Sequence, residues 1–288
     1  MKLQTPVADD KCRIGISYND KIMMLGSCFS DNIGKQLKDL GFDVCVNPFG
    51  TLYNPASIED AIHRLISRTP FTENDCTIIG AGSQKICSFS HHTSFARETV
   101  EEFLENANAA LKEAADFFAQ CNKVIITLGT SWCYRNIETG KIVSNCLKHP
   151  AAEFTRELLP AHTTEEILSE IIATTGKEFI FTVSPIRHFK DGAHGNQLSK
   201  AALLLGADSA MLENMSKADY FPAYEIVMDE LRDYRFYAED MCHPSQQTVN
   251  YIRERFLNWA LPAEEHKRLE ENIRQFKLSC HRSFHANP

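Results

Sequence analysis

Two stretches that lie far apart in the chain contain residue types that together could carry out acyl transfer. Near the start, Ser27 and Cys28 follow the apolar run 22–25 and a glycine, and near the end Asp240 precedes His243 by three residues. Covalent acyl transfer requires a hydroxyl or thiol nucleophile, an imidazole base and a carboxylate that orients the base. We therefore predict that the two stretches meet in one active site. His243 is the predicted base, and Asp240 is its orienting carboxylate.

The nucleophile candidates lie in a strand–turn–helix pattern. The run 22–25 is wholly apolar, which is typical of a strand buried on both faces of a parallel sheet. Gly26 allows a tight turn, and apolar residues at helical spacing follow, Ile33 and Leu37 among them. At such a turn open α/β sheets bind ligands, and the helix dipole favours negative charge. We expect the Cys28 thiol, beside an imidazole, to have a depressed pKa there. Ser27 is the alternative nucleophile, or else it caps the helix.

Apolar segments alternate with helical patterns along the whole chain, which indicates a parallel sheet covered on both faces. The predicted strands are 22–25, 42–46, 123–128 and 178–183, with 234–237 as a fifth strand or an extended segment. We predict an α/β fold, a three-layer α/β/α sandwich with a central, mostly parallel five-stranded sheet of the flavodoxin-like type. The 288 residues are predicted to form a single domain. It carries hairpin-like insertions near 77–97 and 132–148 and a helical segment 245–278 that Pro262 splits.

Each predicted strand ends in a loop of polar residues, and these loops should line one edge of the sheet. The N–H groups of Cys28 and Gly50 and the hydroxyl of Ser131 are candidate donors to an oxyanion. Arg187 could bind a carboxylate or phosphate through two parallel hydrogen bonds, or else form an ion pair with an acidic side chain. The predicted substrate-binding residues are Asn47, His91, His92, Arg187 and His188.

Composition excludes several classes of partner. The net charge is −8, so we expect no nucleic-acid partner, because phosphate binding requires a basic surface. No apolar run approaches the length of about 20 residues that spans a bilayer, and the amino terminus lacks an apolar signal core. The ten cysteines form no C-x-x-C pair, which suits a reducing compartment. We expect a soluble, cytoplasmic protein without a membrane partner, and the sequence does not indicate its oligomeric state.

The run G-S-C-F-S at residues 26–30, together with the D-x-x-H block at 240–243, resembles the GSCFA family, a branch of the SGNH (GDSL-like) hydrolase superfamily. The similarity extends over most of the chain, through residues 26–34, 47–54, 128–132, 145–146, 184–192, 220–224 and 240–245. The resemblance implies a three-layer α/β/α fold with a nucleophile after the first strand. It also implies oxyanion donors after the second and third strands and the D-x-x-H block near the end.

Two positions depart from the superfamily pattern. Its first block is Gly-Asp-Ser, whereas this chain has Gly-Ser-Cys, so aligning the glycines puts Cys28 where the serine normally stands. Its third block supplies an Asn as oxyanion donor, whereas Ser131 offers a hydroxyl. A cysteine would form a thioester, which passes its acyl group readily to an acceptor. The sequence therefore favours acyl transfer slightly, and hydrolysis stays open.

We predict an acyl hydrolase or acyltransferase without a cofactor. The superfamily acts mostly on esters, often acetyl groups on carbohydrates, so the resemblance implies a small-molecule or carbohydrate ester as the substrate. The alternative is a non-catalytic module of the same fold that recognises a carbohydrate or a peptide. A third hypothesis is a metal site of Cys28, Asp240 and His243 with His188. The spacing of these residues is unlike that of structural zinc sites, so we predict no metal.

Overall fold

The structure of the protein is a computed structural model that describes residues 5–7 and 11–285, with side chains up to residue 279. Its strands, in chain order, are β1 Lys21–Gly26, β2 Asp43–Val46, β3 Thr77–Ile78, β4 Ile86–Cys87, β5 Lys123–Leu128, β6 Trp132–Asn136, β7 Ile142–Val143, β8 Phe154–Leu158, β9 Glu178–Val183 and β10 Ala218–Tyr220. Its helices are α1 Cys28–Asp39, α2 Pro55–Ser67, α3 Val100–Gln120, α4 Ala161–Thr175, α5 Gly192–Glu213, α6 Ala223–Glu225, α7 Gln246–Ala260 and α8 His266–His285.

The central sheet has five strands in the order β2-β1-β5-β9-β10, and every pair in it is parallel. In the register of the sheet, Met23 lies opposite Cys45 on one side and Val124 on the other. This is the flavodoxin-like order that the sequence predicts. The chain reverses its direction of winding between β1 and β5. Because the flanking loops diverge at such a point, a crevice opens there at the carboxyl edge of the sheet.

Helices cover both faces of the sheet, which gives the predicted three-layer α/β/α sandwich. Alternate residues of β1 point to opposite faces, as the strand period requires. Met23 and Leu25 are buried among α2, α3, α4 and α5, and Ile22 and Met24 are buried against α1 and α7. Burying each of these side chains contributes about 1.5–3 kcal/mol to stability, so a polar substitution anywhere in this strand should destabilise the fold.

Two small antiparallel sheets lie outside the central sheet. The strands β3 and β4 pair as a short hairpin. The hairpin β6–β7 is extended by a third strand, β8, which the sequence pattern does not reveal. In β8 only Phe154 is fully buried, because this strand lies at the edge of a small sheet. Its apolar content is therefore too low to stand out from a loop.

The fifth strand of the central sheet is β10, and the prediction of a strand at 234–237 was wrong. Residues Tyr234–Phe236 form one turn of 3-10 helix, and the Tyr234 side chain is 65% exposed. The position beside β9 is instead taken by β10, whose Ala218 lies opposite Phe179. The long helix α5 provides the crossover that a parallel neighbour requires.

Near the end of the chain, Leu261 and Pro262 lie between α7 and α8. Helix α7 begins after Ser245, whose side chain accepts the N–H of Thr248. Among the described helices, none has both the length and the apolar character required to cross a bilayer. The nine cysteines whose side chains are described are all free thiols.

Candidate active site

A cavity of about 670 Å³ opens at the carboxyl edge of the central sheet. We call its inner part the catalytic floor. It consists of residues that follow four parallel strands, together with the loop before α7: Cys28, Tyr53, Asn54, Thr130, Ile186, His188, Asp240, Cys242 and His243. Cys28 follows β1 and Thr130 follows β5, so the floor spans the point at which the winding of the sheet reverses. This is where an open α/β sheet binds its ligand.

The turn between β1 and α1 brings the chain very close to its neighbour strand. Gly26 has φ 137°, and a Cβ at this position would lie 2.2 Å from the carbonyl oxygen of Thr127. The Gly26 N–H donates to Asn47 Oδ1 at 2.9 Å, and Asn47 Nδ2 donates to Asp31 Oδ1 at 2.7 Å. Asn47 does not line the cavity, so the structure gives no support to its predicted contact with substrate. It ties the nucleophile turn to the first turn of α1 instead.

Of the two nucleophile candidates, only Cys28 reaches the cavity. Ser27 is fully buried and caps α1, since its hydroxyl oxygen accepts the N–H of Phe29 at 3.3 Å. Cys28 is the first residue of the helix and is half-buried. Its own N–H has no acceptor within the helix, as is general for the first turn. The geometry therefore favours Cys28 over Ser27.

The pKa of the Cys28 thiol is raised, which is the opposite of the depressed pKa that the sequence suggests. Burial is the largest cause, and the negative charge of Asp31 adds to it. The N–H groups of Cys28 and Phe29 act in the other direction, and the more distant Asp240 again raises the pKa. The N–H groups at the helix terminus thus lower the thiol pKa as expected, but burial and a nearby carboxylate raise it by more. At neutral pH the Cys28 side chain is therefore a thiol.

His243 and Asp240 form a hydrogen-bonded pair at the rim of the floor. Asp240 Oδ2 lies 2.5 Å from His243 Nδ1, and Asp240 Oδ1 accepts the N–H groups of Cys242 and His243, both at 2.9 Å. These hydrogen bonds lower the pKa of Asp240 to about 2, so it is ionised at neutral pH. Met241 has a φ of 56°, which lets this turn close. The hydrogen bond to Nδ1 fixes the orientation of the imidazole ring, and Asp240 does not contact Nε2.

The two predicted oxyanion donors after β2 and β5 do not reach the cavity. The Gly50 N–H donates to the Asn47 carbonyl at 2.8 Å, and a Cβ on Gly50 would meet the Cβ of His92 at 2.2 Å. The Ser131 hydroxyl is fully buried and has no hydrogen-bond partner among the described residues, whereas the Ser131 N–H donates to Ser199 Oγ at 2.8 Å. Neither residue lines the cavity. Gly50 therefore forms a turn and allows His92 to pack closely, and Ser131 is part of the buried interior.

Asn54 is a candidate oxyanion donor that the sequence analysis missed. It lines the cavity, and its Oδ1 is held by the N–H of Ser57 at 2.9 Å because Asn54 caps α2. That hydrogen bond fixes the orientation of the amide. Among the described residues, none accepts a hydrogen bond from Asn54 Nδ2. The sequence does contain a signal for the cap, because Asn54 precedes a proline and a helical pattern at the end of the loop after β2.

The two histidines of the 88–95 loop lie outside the cavity. His91 is fully buried among phenylalanines, its Nδ1 lies 2.6 Å from Ser88 Oγ, and burial lowers its pKa to about 3. His92 packs on Gly50, and its Nδ1 lies 3.0 Å from Ser94 Oγ. Both side chains therefore stabilise the loop, and the structure gives no support to their predicted contact with substrate.

Arg187, the first of the two candidates after β9, lines the cavity. Its guanidinium lies 4.1 Å from the centre of the Phe189 ring, and its NH1 donates to the Met241 carbonyl at 3.4 Å. These contacts hold the side chain between the loop after β9 and the turn of the Asp240–His243 pair. Neither contact neutralises the positive charge, because a ring and a carbonyl carry no net charge.

His188, the second candidate, also lines the cavity. Burial lowers the pKa of His188 to about 4, and the charges of Lys200 and His243 add to this effect. His188 is therefore neutral at pH 7. Its Nε2 is buried and has no hydrogen-bond partner among the described residues, so it can act as a neutral polar group at the floor.

The family comparison covers the part of the chain that carries this site. The model of the GSCFA family matches residues 21–256. The chain belongs to the GSCFA family. The match begins at β1 and ends within α7, so it contains every residue of the catalytic floor. No curated protein matches this GSCFA chain closely enough to suggest an activity.

Helix α5 of the GSCFA chain contributes a buried cation that sequence reasoning missed. Lys200 is fully buried, and its Nζ donates to the carbonyls of Gly129 and Ser184 at 2.6 and 2.7 Å. Burial lowers its pKa to about 7. Lys200 lies near the apolar stripe of Leu203 and Ala207, and a lysine on such a stripe is the signal that could have revealed it.

The neighbouring Ser199 supports the floor from the same helix. Its hydroxyl lies 2.9 Å from Thr130 Oγ1, and it is buried. It also accepts the N–H of Ser131 at 2.8 Å. Helix α5 therefore holds the loop after β5 at two successive residues.

The geometry does not support a metal site at the floor. Among the described residues, the group with ligand atoms all within 4.8 Å of one another is Glu59, His63 and Glu170, on α2 and α4. It does not include the residues of the hypothesised site at the catalytic floor. The cavity does contain two further thiols, Cys146 and Cys242, which any labelling experiment has to distinguish from the nucleophile candidate.

Proposed function

We propose that this protein is an acyl hydrolase or acyltransferase that acts on an ester, with Cys28 as the nucleophile. The observation that carries the proposal is that Cys28 and the hydrogen-bonded pair of His243 and Asp240 line one cavity. A thiol at a helix amino terminus and an oriented imidazole in the same cavity are the groups that covalent acyl transfer uses. The substrate is a small-molecule or carbohydrate ester.

In the first step His243 Nε2 takes the proton of the Cys28 thiol while the sulfur attacks the ester carbonyl carbon. Because the thiol pKa is raised, the proton leaves during the attack and the base is required. The carbonyl oxygen becomes an oxyanion, for which Asn54 Nδ2 and the Cys28 N–H are the available donors. The tetrahedral intermediate then expels the alcohol, which receives the proton from His243, and a thioester remains on Cys28.

In the second step water or an acceptor alcohol attacks the thioester. His243 takes the proton of the attacking group and returns it to the sulfur as the thioester breaks. Attack by water completes hydrolysis, and attack by an alcohol completes transfer to a new ester. Asp240 stays ionised throughout, since its pKa is about 2, and stabilises the imidazolium that forms in each step.

We further propose that the family lies within the SGNH (GDSL-like) superfamily. The support is the strand order of the sheet, the nucleophile directly after β1 and the D-x-x-H block before α7. The departure at the first block gives this chain a thiol where the superfamily has a serine. This departure and the raised thiol pKa favour the second candidate function, a non-catalytic module that binds a carbohydrate or a peptide in the same cavity.

The test is intact-protein mass spectrometry after incubation with small acyl esters and acyl thioesters, followed by peptide mapping. We expect an acyl adduct on Cys28 that is absent from Cys28→Ala. Cys146→Ala is the matched control, because it removes another thiol of the cavity and should leave the adduct unchanged. Asp240→Asn should lower the rate of turnover by about 10²- to 10⁴-fold, because the imidazole loses its orienting carboxylate.

An adduct on Ser27, Cys146 or Cys242 would contradict the assignment of the nucleophile. Folded protein that forms no adduct with any donor, but binds sugars or peptides in the cavity, would favour the binding module. His243→Ala should abolish turnover, and unchanged turnover in that variant would contradict the proposed mechanism.

A further inference from the structure

Outside the catalytic floor, the cavity is also lined by a group of aromatic and cationic side chains. We call it the outer wall and define it by Trp132, Tyr134, Arg156, Arg187 and Lys190, all of which line the cavity. The strands β6 and β8 supply the first three, and the loop after β9 supplies the last two. The outer wall is therefore built by an insertion and a loop, outside the central sheet.

One of the three cations of the outer wall is neutralised within the protein. Arg156 lies 4.3 Å from the centre of the Trp132 ring and forms an ion pair with Asp191, whose side chain is 5% exposed. The Arg156 side chain is thus held by the Trp132 ring and by Asp191, and these contacts stabilise the outer wall. The charges of this ion pair cancel, so it contributes little to the attraction of a charged ligand.

The other two cations have no carboxylate partner among the described residues. Lys190 Nζ donates to the Tyr134 hydroxyl at 3.1 Å and lies 5.4 Å from the centre of that ring. Arg187 contacts the rings of Phe189, Tyr234 and Tyr237. Contacts with aromatic rings leave the positive charge in place. Arg187 and Lys190 thus lack an ion-pair partner among the described residues, and the three cations and two carboxylates that line the cavity, Asp191 and Asp240, leave it with a net positive charge in a chain whose net charge is −8.

We propose that the outer wall is a subsite for an anionic sugar, a ring that carries a carboxylate or a phosphate. This inference rests on the proposed function, in which the anionic sugar is the alcohol portion of the ester. Lys190 and Arg187 bind the anion, and Tyr134 contacts the ring. The volume of about 670 Å³ accommodates such a sugar together with a small acyl group on Cys28.

The experiment measures binding by isothermal titration calorimetry, which requires no catalysis. The ligands are a methyl hexoside, the matching methyl hexuronide and the methyl hexoside 6-phosphate. We expect at least one anionic sugar to bind about tenfold more tightly than the neutral sugar, with a difference that shrinks at high salt. Comparing the affinities of the hexuronide and the 6-phosphate shows whether the subsite prefers a carboxylate or a phosphate.

Lys190→Gln is the primary variant, because this side chain is exposed and its described contacts are with Tyr134. It should weaken binding of the anionic sugar about fivefold or more and leave the neutral sugar unchanged. Arg187→Gln should act in the same direction. Lys217→Gln is the matched control, since this exposed lysine lies beside Gly176, away from the cavity, and it should change nothing.

Equal binding of neutral and anionic sugars, or no binding of either, would overturn the subsite while the acyl-adduct experiment still tests the proposed function. Unchanged binding of the anionic sugar in Lys190→Gln would also overturn it. A second measurement compares turnover of acetylated neutral and anionic sugars. If the anionic sugar binds but its acetyl ester reacts no faster than the neutral one at low concentration, the subsite does not hold the alcohol portion.

Discussion

The Cys28 thiol shows how two local effects compete at one residue. The first N–H groups of α1 favour the thiolate, whereas burial and the Asp31 carboxylate favour the thiol. The balance raises the pKa, so the proposed enzyme relies on His243 to remove the proton during attack. Sequence motifs reveal the helix terminus but do not reveal how deeply the sulfur is buried.

We predict that the rate of Cys28 alkylation by iodoacetamide rises with pH to a midpoint above that of an ordinary thiol. Asp31→Asn should move the midpoint to lower pH, because removal of a nearby negative charge favours the thiolate. The substituted amide still offers an oxygen to accept the hydrogen bond that Asn47 donates.

Mapping by mass spectrometry restricts the measurement to Cys28. Asp43→Asn is the control, since this exposed acid lies at the start of β2, away from the site, and should leave the midpoint unchanged. A midpoint below that of an ordinary thiol would show that the helix terminus dominates over burial.

At the scale of elements, the turn between β1 and α1 depends on the absence of a side chain at Gly26. We predict that Gly26→Ala destabilises the protein by about 3 kcal/mol or more, because backbone strain adds to the close approach of Thr127. Gly140→Ala is the matched comparison, with φ 67° but no atom within 4 Å of the new Cβ. It should cost only about 1–2 kcal/mol. Urea denaturation measures both, and equal losses would contradict the steric argument.

Helix α5 holds the loops after β5 and β9 through Lys200. The pKa of Lys200 is lowered to about 7 by burial, whereas a lysine in the unfolded chain has a pKa of about 10.4. Between these values the unfolded chain binds more protons, so stability increases as pH rises. The cost of the buried charge is present below about pH 7 and is relieved above it.

We therefore predict that the wild-type protein gains stability relative to Lys200→Met as the pH rises from about 7 towards 10. The variant should also be less stable overall, because the carbonyls of Gly129 and Ser184 lose their donor. Urea denaturation of both proteins across this pH range provides the measurement. A stability difference that does not change with pH would contradict the lowered pKa.

At the scale of the whole molecule, the two edges of the sheet have separate roles. The carboxyl edge carries the cavity, whereas α8 packs near the amino edge, where Asn272 Nδ2 donates to the Leu40 carbonyl at 2.8 Å. Leu269 is buried, and the Arg268 guanidinium lies 4.3 Å from the centre of the Tyr18 ring. Helix α8 should therefore contribute to stability and not to the chemistry of the site.

We predict that a chain ending at residue 265 is less stable by about 2–4 kcal/mol, from the lost burial, hydrogen bond and cation–π contact. Its Cys28 alkylation profile should be that of the full chain. Thermal denaturation and the alkylation assay check the two parts. A changed alkylation profile in the folded, shortened protein would show that α8 affects the site.

The sequence by itself determined the strands 22–25, 123–128 and 178–183, because strands buried on both faces are continuous apolar runs. It also determined the order of the layers and the pairing of Asp240 with His243, since both depend on local spacing. β8 and β10 were not predicted, because their few buried side chains resemble a loop. Only the tertiary structure decided that Ser27 is a cap, that Asn54 faces the cavity and that Lys200 lies beneath it. Local patterns indicate a cap at Ser27 and Asn54 and a lysine on an apolar stripe at Lys200, but which side chain is buried and which faces the cavity depends on contacts between residues far apart in the chain.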